Sequence, residues 1–386
     1  MRILFAQPSL QPPGGGNAVA AWMVQALAEE HEVTLLTWSA LDLAAVDRFN
    51  GTRLQRGRFP TLRVPAAWRW PVEPVPLPAH LLRTALLLRA VRRHAADYDR
   101  VVSANNEADF GRPGVQYIHY PWNVFTPADQ HLRWYHPRAL VRPYAGLCRA
   151  VSRFSREGMR RNVTLVNSDW TGGVVRRRYG VAARTVHPPV ATGFPAVPWE
   201  AREPGFVCIG RIAPEKTLDR VLDIVAAVRR EVPAVRLHLV GTPEHRGYYR
   251  HVAGRARAED VALHHDLSRA DLVALMTRQR YGLHGMPEEH FGMAVAEMVA
   301  AGCIVWAPDS GGQVEIVGDA RLTYGSVEEA VAKILRVLRA PDEQAALRAH
   351  LAAQAPRFSP ERFIREIRTA VAGNAGPGEP SARRAL

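Results

Sequence analysis

Short apolar strands alternate with longer amphipathic stretches from one end of this 386-residue chain to the other, and the series starts twice. Strand candidates in the first half are Ile3–Ala6, Val33–Thr37, Val101–Ala104, Val115–His119, Thr164–Val166 and Thr185–Val186. Those in the second half are Phe206–Ile209, Leu237–Val240, Val261–His264, Tyr281–Leu283 and Ile304–Ala307. Helical periodicity fits Ala18–Glu30, Pro78–His94, Leu218–Val232, Ala294–Ala301 and Val327–Leu338. Such alternation implies parallel sheets covered on both faces, because a parallel connection must cross over the sheet. The stretch 187–204 is rich in proline and has no periodicity, which is a linker composition. The reading is α/β: two doubly wound, Rossmann-like domains facing across a cleft. Their expected bounds are 1–190 and 205–356, with a linker at 191–204. A C-terminal helix at 357–373 is expected to pack back toward the first domain. The tail 374–386 is small, polar and expected to be disordered. In open α/β sheets ligands bind beyond the carboxyl ends of the strands, so those loops are where chemistry is sought.

Composition narrows the classes. The chain is 47% hydrophobic, enough for two cores. No apolar run reaches the roughly 18 residues of a spanning helix. The opening residues lack a charged segment leading into an apolar one, so no signal peptide is expected. Three scattered cysteines, Cys148, Cys208 and Cys303, argue for a reducing compartment and against a cysteine metal site. A cytoplasmic location follows as an expectation. The net charge is +13, yet only two of the fifty basic residues are lysines, Lys216 and Lys333. A positive balance can serve anionic lipid, nucleic acid or a polyanionic ligand. Neither an aromatic–basic RNA signature nor zinc-finger spacing is present, so nucleic acid is not the expected partner.

Four loops carry candidate chemistry. Gly14-Gly15-Gly16-Asn17 follows the first strand and precedes a helix, a place where backbone N–H groups approach an anion. It lacks the full dinucleotide fingerprint and the Lys-Ser/Thr of a P-loop. Gly210 through Lys216 follows the first strand of the second series. There Arg211 offers a fork and Lys216 a point charge, together suited to a diphosphate. The third is Glu289-His290-Phe291-Gly292-Met293, ahead of an apolar helix that carries Glu297. If helical throughout, the eight residues between the carboxylates span about 12 Å. That is too far for a shared proton and suits the two ends of a nucleotide sugar, Glu289 at the hexose and Glu297 at the ribose. Glu297 has apolar neighbours, so burial is expected, and with it a ligand or an arginine partner. The fourth is Tyr117 through Trp122, which sets His119 at the carboxyl end of a strand. Asp97-Tyr98-Asp99 matches a metal–nucleotide pattern but precedes a strand, at the wrong end. His264-His265-Asp266 lacks a third ligand at useful spacing. No metal is expected.

Taken with Asn167-Ser168-Asp169-Trp170-Thr171, His187-Pro188-Pro189-Val190 and Gly311-Gly312, these loops resemble the GT-B glycosyltransferases of family 4, which are retaining enzymes. Tyr117–Pro121, Asn167–Thr171, Glu289–Gly292 and Asp309–Gly312 are most similar to the α-1,2-mannosyltransferase subgroup of lipid-linked oligosaccharide assembly, which uses GDP-mannose. His290 stands where other family members commonly have Ser or Ala. The resemblance implies the GT-B fold and no cofactor beyond a nucleotide-sugar substrate, GDP-mannose or UDP-glucose. It implies donor contacts at Gly15, Gly16, Arg211, Lys216, Glu289, His290, Phe291, Gly292, Met293 and Glu297. It places His119, Glu289, Arg211 and Lys216 nearest the reaction. The expected acceptor is a glycan, a lipid-linked chain or a small-molecule hydroxyl.

Two other readings stay open at this stage: a GT-B-like nucleotide-sugar epimerase and, from charge alone, a nucleic-acid-binding protein. A separate expectation is peripheral contact with an anionic membrane, at the inner face. It rests on Trp68-Arg69-Trp70 and the leucine–arginine stretch from Leu81 to Arg93.

Overall fold

The computed structural model describes residues 1–12, 14–56, 59–73, 79–121, 138–191, 193–265 and 267–373. Trp122, Asp266 and the tail 374–386 lie outside the described residues, as does the whole stretch between Trp122 and Arg138. The chain divides into two compact units, Met1–Pro188 with Phe363–Leu386, and Pro189–Arg362.

Seven strands form the sheet of the first unit: β1 (Arg2–Ala6), β2 (Glu32–Thr37), β3 (Thr61–Arg63), β4 (Arg100–Ser103), β5 (Val115–Ile118), β6 (Val163–Val166) and β7 (Arg184–Thr185). Their order is β3-β2-β1-β4-β5-β6-β7 and every pairing is parallel. Successive side chains of a strand point to opposite faces. Ile3 and Phe5 of β1 thus enter one apolar cluster with the helix Gly15–Ala28, while Leu4 and Ala6 enter another with the helix Ala79–His94. Both faces are buried, which is why the strands read as continuous apolar runs. Phe363, Ile367, Ala370 and Val371 of the last helix also belong to the first cluster. Arg368 there donates to the Ala26 carbonyl at 2.9 Å.

The second unit repeats the plan with six strands: β8 (Glu203–Ile209), β9 (Leu237–Val240), β10 (Ala262–His264), β11 (Gln279–Leu283), β12 (Ile304–Pro308) and β13 (Thr323–Tyr324). The order is β10-β9-β8-β11-β12-β13, again parallel throughout. β8 begins at Glu203, inside the stretch expected to be a linker, and Arg202 just before it is buried. In each unit the chain moves outward on one side of its first strand and then returns to the other. The switch points lie between β1 and β4, and between β8 and β11. Loops at the carboxyl ends of strands flanking such a point form a crevice for ligands.

Two strands and several helices escaped the sequence. β3 and β13 are edge strands of three and two residues, too short for an apolar run. The helix Arg246–Ala258 carries few large apolar side chains, and Pro341–Gln354 is alanine-rich, so neither shows a clear stripe. The first helix starts at Gly15, three residues earlier than periodicity placed it, so Gly15 and Gly16 form its first turn.

Candidate functional site

In the second unit, three loops at the β8–β11 switch point are locked together by close backbone approaches. After β8 the chain turns at Gly210, whose N–H donates to the Val240 carbonyl at 3.0 Å. A Cβ on Gly241 would overlap the Gly210 carbonyl oxygen, so only glycine lets these loops meet. The turn Pro214–Lys216 follows, and Thr217, left-handed at φ 45°, leads into the helix Leu218–Glu231. After β11, Gly285 packs on this turn, and a Cβ there would stand 2.7 Å from the Thr217 carbonyl oxygen. The Thr217 hydroxyl donates to the Gly285 carbonyl at 2.5 Å.

This clamping sets Lys216 beside Glu289. Its Nζ donates to Glu289 Oε2 at 2.5 Å and also lies 3.3 Å from Met286 Sδ. His284 Nε2 donates to the same Oε2 at 3.2 Å. Both donors use one carboxylate oxygen, and Oε1 accepts from none of the described residues. Burial pushes the Glu289 carboxyl up. The His284 hydrogen bond and the Lys216 ammonium outweigh burial and hold it well below the usual carboxylate range. Glu289 is therefore a fixed anion with one oxygen committed and the other open.

The loop around Glu289 is itself over-determined. Glu288 is left-handed at φ 51°, and Gly292 at φ 107° opens the helix Met293–Ala300. Gln313 fastens the loop through Nε2, which donates to the carbonyls of Met286 at 2.9 Å, Ser310 at 2.9 Å and Pro308 at 3.2 Å. The Gly312 N–H donates to the Glu289 carbonyl at 2.7 Å. Gly311 sits at φ 87°, and a Cβ there would stand 2.6 Å from the Glu289 nitrogen. Gly311→Ala is therefore expected to cost about 3 kcal/mol, through backbone strain and displacement of the Glu289 loop. Urea unfolding checks it; a midpoint equal to the parent's would show that the loop yields freely.

Arg211 flanks the site with a half-exposed side chain, paired to Glu244 and, at 3.2 Å, to Glu215. Exposed pairs of this kind are worth about 0–1 kcal/mol, so the guanidinium can be drawn to a stronger anion at small cost. Glu297 is held differently. The segment is not helical throughout: Glu289 and His290 lie in the loop, and only Glu297 is on the helix. Its partner is Arg269 at 2.8 Å, the arginine that its burial called for. Burial raises the Glu297 carboxyl above its ordinary value, and Arg269 only partly offsets this.

The two glutamates thus act on stability with opposite signs. Glu289, depressed, contributes stability that is present above its unfolded value of about 4.3 and is lost as pH falls through its folded value. Glu297, raised, contributes most when protonated, and that contribution is lost as pH rises from about 4.3 through its folded value. Glu289→Gln is expected to lose about 1–3 kcal/mol at pH 7. Glu297→Gln should unfold in urea at pH 7 no earlier than the parent. A Glu297→Gln variant less stable than Glu289→Gln would reverse the assignment.

In the first unit, Gly16 and His119 meet at the carboxyl ends of β1 and β5. A Cβ on Gly16 would stand 3.4 Å from His119 Nε2. That nitrogen donates to the Ala104 carbonyl at 3.0 Å. Asn106 Oδ1 accepts the His119 N–H at 2.8 Å, and Asn167 Nδ2 donates to the His119 carbonyl at 2.9 Å. The first turn of the helix Gly15–Ala28 presents N–H groups beside this imidazole, with Gly14 at the cap. Ser168 caps the helix Asp169–Tyr179, its hydroxyl accepting from Thr171. Asp99 Oδ2 accepts the Arg2 N–H at 2.7 Å, at the amino ends of β1 and β4. His264 pairs with His238 at 3.0 Å, and His265 with Tyr249 at 3.0 Å.

Lys216, Glu289 and Arg211 are accordingly gathered at one switch point, and Gly16 and His119 at the other. Sequence reasoning missed His284, Gln313 and Gly285. His284 had a usable signal, because it follows β11 directly at the carboxyl end beside β8. Gln313 had none: its role is to satisfy three carbonyls of a loop whose path only the structure reveals.

The family model for Glycosyl transferases group 1 matches residues 192–357. The mouse GDP-Man:Man(3)GlcNAc(2)-PP-Dol alpha-1,2-mannosyltransferase is 26% identical over 230 residues, 52% of this chain and 46% of the mouse protein. A GDP-mannose-dependent alpha-(1-6)-phosphatidylinositol monomannoside mannosyltransferase of Mycobacterium tuberculosis H37Rv is 31% identical over 126 residues, 30% of this chain and 32% of its own. The chain spans about half the length of the first of these relatives. Among solved structures, Anabaena Alr3699/HepE in complex with UDP matches at TM-score 0.68 and 16% identity, over 96% of this chain and 100% of that one. WaaG, a glycosyltransferase involved in lipopolysaccharide biosynthesis, matches at TM-score 0.67 and 17% identity, over 96% and 100%. Two parallel α/β units with these neighbours are the GT-B fold, and the match to the Glycosyl transferases group 1 model falls within the second unit.

Proposed function

We propose that the chain is a retaining glycosyltransferase that moves a hexose, mannose first, from a nucleotide-diphosphate sugar to a hydroxyl of a glycan, lipid-linked or small-molecule acceptor. The observation that carries this is the Lys216–Glu289–His284 cluster: one cation for a phosphate, and one carboxylate oxygen left open for a sugar hydroxyl. GDP-mannose is the favoured donor because the mannosyltransferases that this chain matches are named for it.

In this reading Arg211 leaves Glu244 and Glu215 to join Lys216 on the diphosphate. The N–H groups at Gly292 and Met293, at the start of the helix Met293–Ala300, add further donors. Glu289 Oε1 accepts from the hexose, with His290 and Phe291 shaping the same loop. Glu297 exchanges part of its Arg269 contact for the ribose. As the bond from the anomeric carbon to the phosphate oxygen breaks, charge grows on the leaving phosphate, and these fixed donors stabilise it. The acceptor oxygen bonds to the anomeric carbon from the leaving-group face, and its proton passes to the departing phosphate oxygen. No step calls for a metal ion.

The described residues contain no helix long and apolar enough to cross a membrane. Trp70 is 80% exposed and Leu147 57% exposed, on a unit rich in arginine, which supports peripheral contact with anionic lipid. The test of the reaction is incubation with GDP-mannose and an acceptor, with the product's anomeric configuration read by NMR. Transfer with retention is expected. Inversion would overturn the mechanism, and an epimerised sugar formed without acceptor would overturn the function.

A further inference from the structure

At the amino ends of the second sheet, opposite the strand ends that carry Lys216 and Glu289, the second unit holds a cavity of about 590 Å³. Trp199 and Arg202 line it just ahead of β8, and Gly302 and Cys303 just ahead of β12. Ala345, Arg348, Ala349 and Ala352 of the helix Pro341–Gln354 form another wall. The volume falls in the range of small-molecule sites.

Two arginines, Arg202 and Arg348, line the cavity. Arg202 is 8% exposed. Its hydrogen bonds go to two backbone carbonyls, Val197 at 3.2 Å and Gln279 at 3.3 Å. Arg348 Cζ lies 4.5 Å from the Trp199 ring centroid, a cation–π contact. Among the described residues neither arginine has a carboxylate partner. Burial lowers the proton affinity of Arg202, and the nearby charge of Arg348 lowers it further. The Cys303 thiol cannot neutralise them, because burial pushes its pKa up to about 12. Arg202 is buried with no acid beside it among the described residues, and Arg348 is half-buried at the same cavity, so the pair calls for an anion from outside.

We propose that this cavity binds a small phosphomonoester, its phosphoryl group held between Arg202 and Arg348. Two guanidinium forks offer more donors than one carboxylate can accept. A phosphoryl group brings three oxygens and close to two negative charges. The alanines at 345, 349 and 352 leave the remaining volume for a body of sugar size. The site also touches Val299 and Ala300, the last turn of the helix that begins next to the Glu289 loop.

Calorimetric titration of glucose 6-phosphate and of inorganic phosphate into the full chain, at matched ionic strength, tests this. Saturable one-site binding of glucose 6-phosphate is expected in the parent and equally in Lys216→Ala. It should weaken at least about tenfold in Arg348→Ala and in Ala349→Trp, which fills the cavity. Both positions are solvent-accessible, and unchanged urea unfolding would show that both variants fold. Absence of saturable binding in the parent, binding that survives both cavity variants, or binding abolished by Lys216→Ala would each overturn the proposal. The last outcome would assign the phosphate to the other switch-point site. Inorganic phosphate binding as tightly as glucose 6-phosphate would overturn the claim of an ester ligand. None of these outcomes bears on hexose transfer, whose own test is separate.

Discussion

Lys216→Ala is expected to lower hexose transfer about 10³-fold while leaving the fold in place. Loss of one fixed donor to a developing oxyanion typically costs 10²–10³ in turnover, and cations on transferring phosphates reach higher values. Lys216 Nζ makes its charged contact to Glu289 Oε2, which retains His284 Nε2 when the lysine is removed. The carboxylate is therefore not stranded, and the variant should unfold in urea close to the parent. Nucleoside diphosphate affinity should fall as well, since the same charge serves ground state and transition state. Steady-state kinetics with calorimetry of the free nucleotide checks both. Transfer within about tenfold of the parent would remove Lys216 from the phosphate site.

Glu289→Gln is expected to lower transfer about 10²–10³-fold, with the opposite effect on the nucleotide. A carboxylate 2.5 Å from Lys216 Nζ partly neutralises the ammonium. Replacing it with an amide keeps the shape and frees the cation, so nucleoside diphosphate should bind as tightly as before or more tightly. Loss of transfer with retained or improved nucleotide binding is the signature of a group that grips the sugar. A parallel loss of both would make Glu289 a support for Lys216 and nothing more. The pair of variants separates roles that a single activity loss would merge.

The frame of this arrangement was legible because burial on both faces writes parallel strands as apolar runs. β1, β2, β8, β9 and β12 were each found within one or two residues, apart from the early start of β8 at Glu203. Lys216 stood out through the near absence of lysine elsewhere, and Glu289 through the Phe-Gly turn that follows it. The spacing argument for Glu289 and Glu297 was less secure. Eight residues measure about 12 Å only in a helix, and the helix begins at Met293, after Glu289 has already turned. What the sequence left hidden is side-chain company. Neither the commitment of one Glu289 oxygen to His284 and Lys216 nor the three-carbonyl grip of Gln313 follows from local pattern. Both depend on which loops a switch point brings together. The same holds for Arg202 and Arg348, which are 146 positions apart in the chain and line one cavity only after folding.

The central claim is that the β8–β11 switch point holds a nucleotide sugar by protein groups alone. Calorimetric titration of GDP-mannose, with UDP-glucose as comparison, into the parent chain in excess EDTA tests it most directly. The account predicts one-site binding that persists in EDTA and is strongly weakened in Lys216→Ala. No binding of either nucleotide sugar, or binding that appears only when a divalent cation is restored, would contradict it.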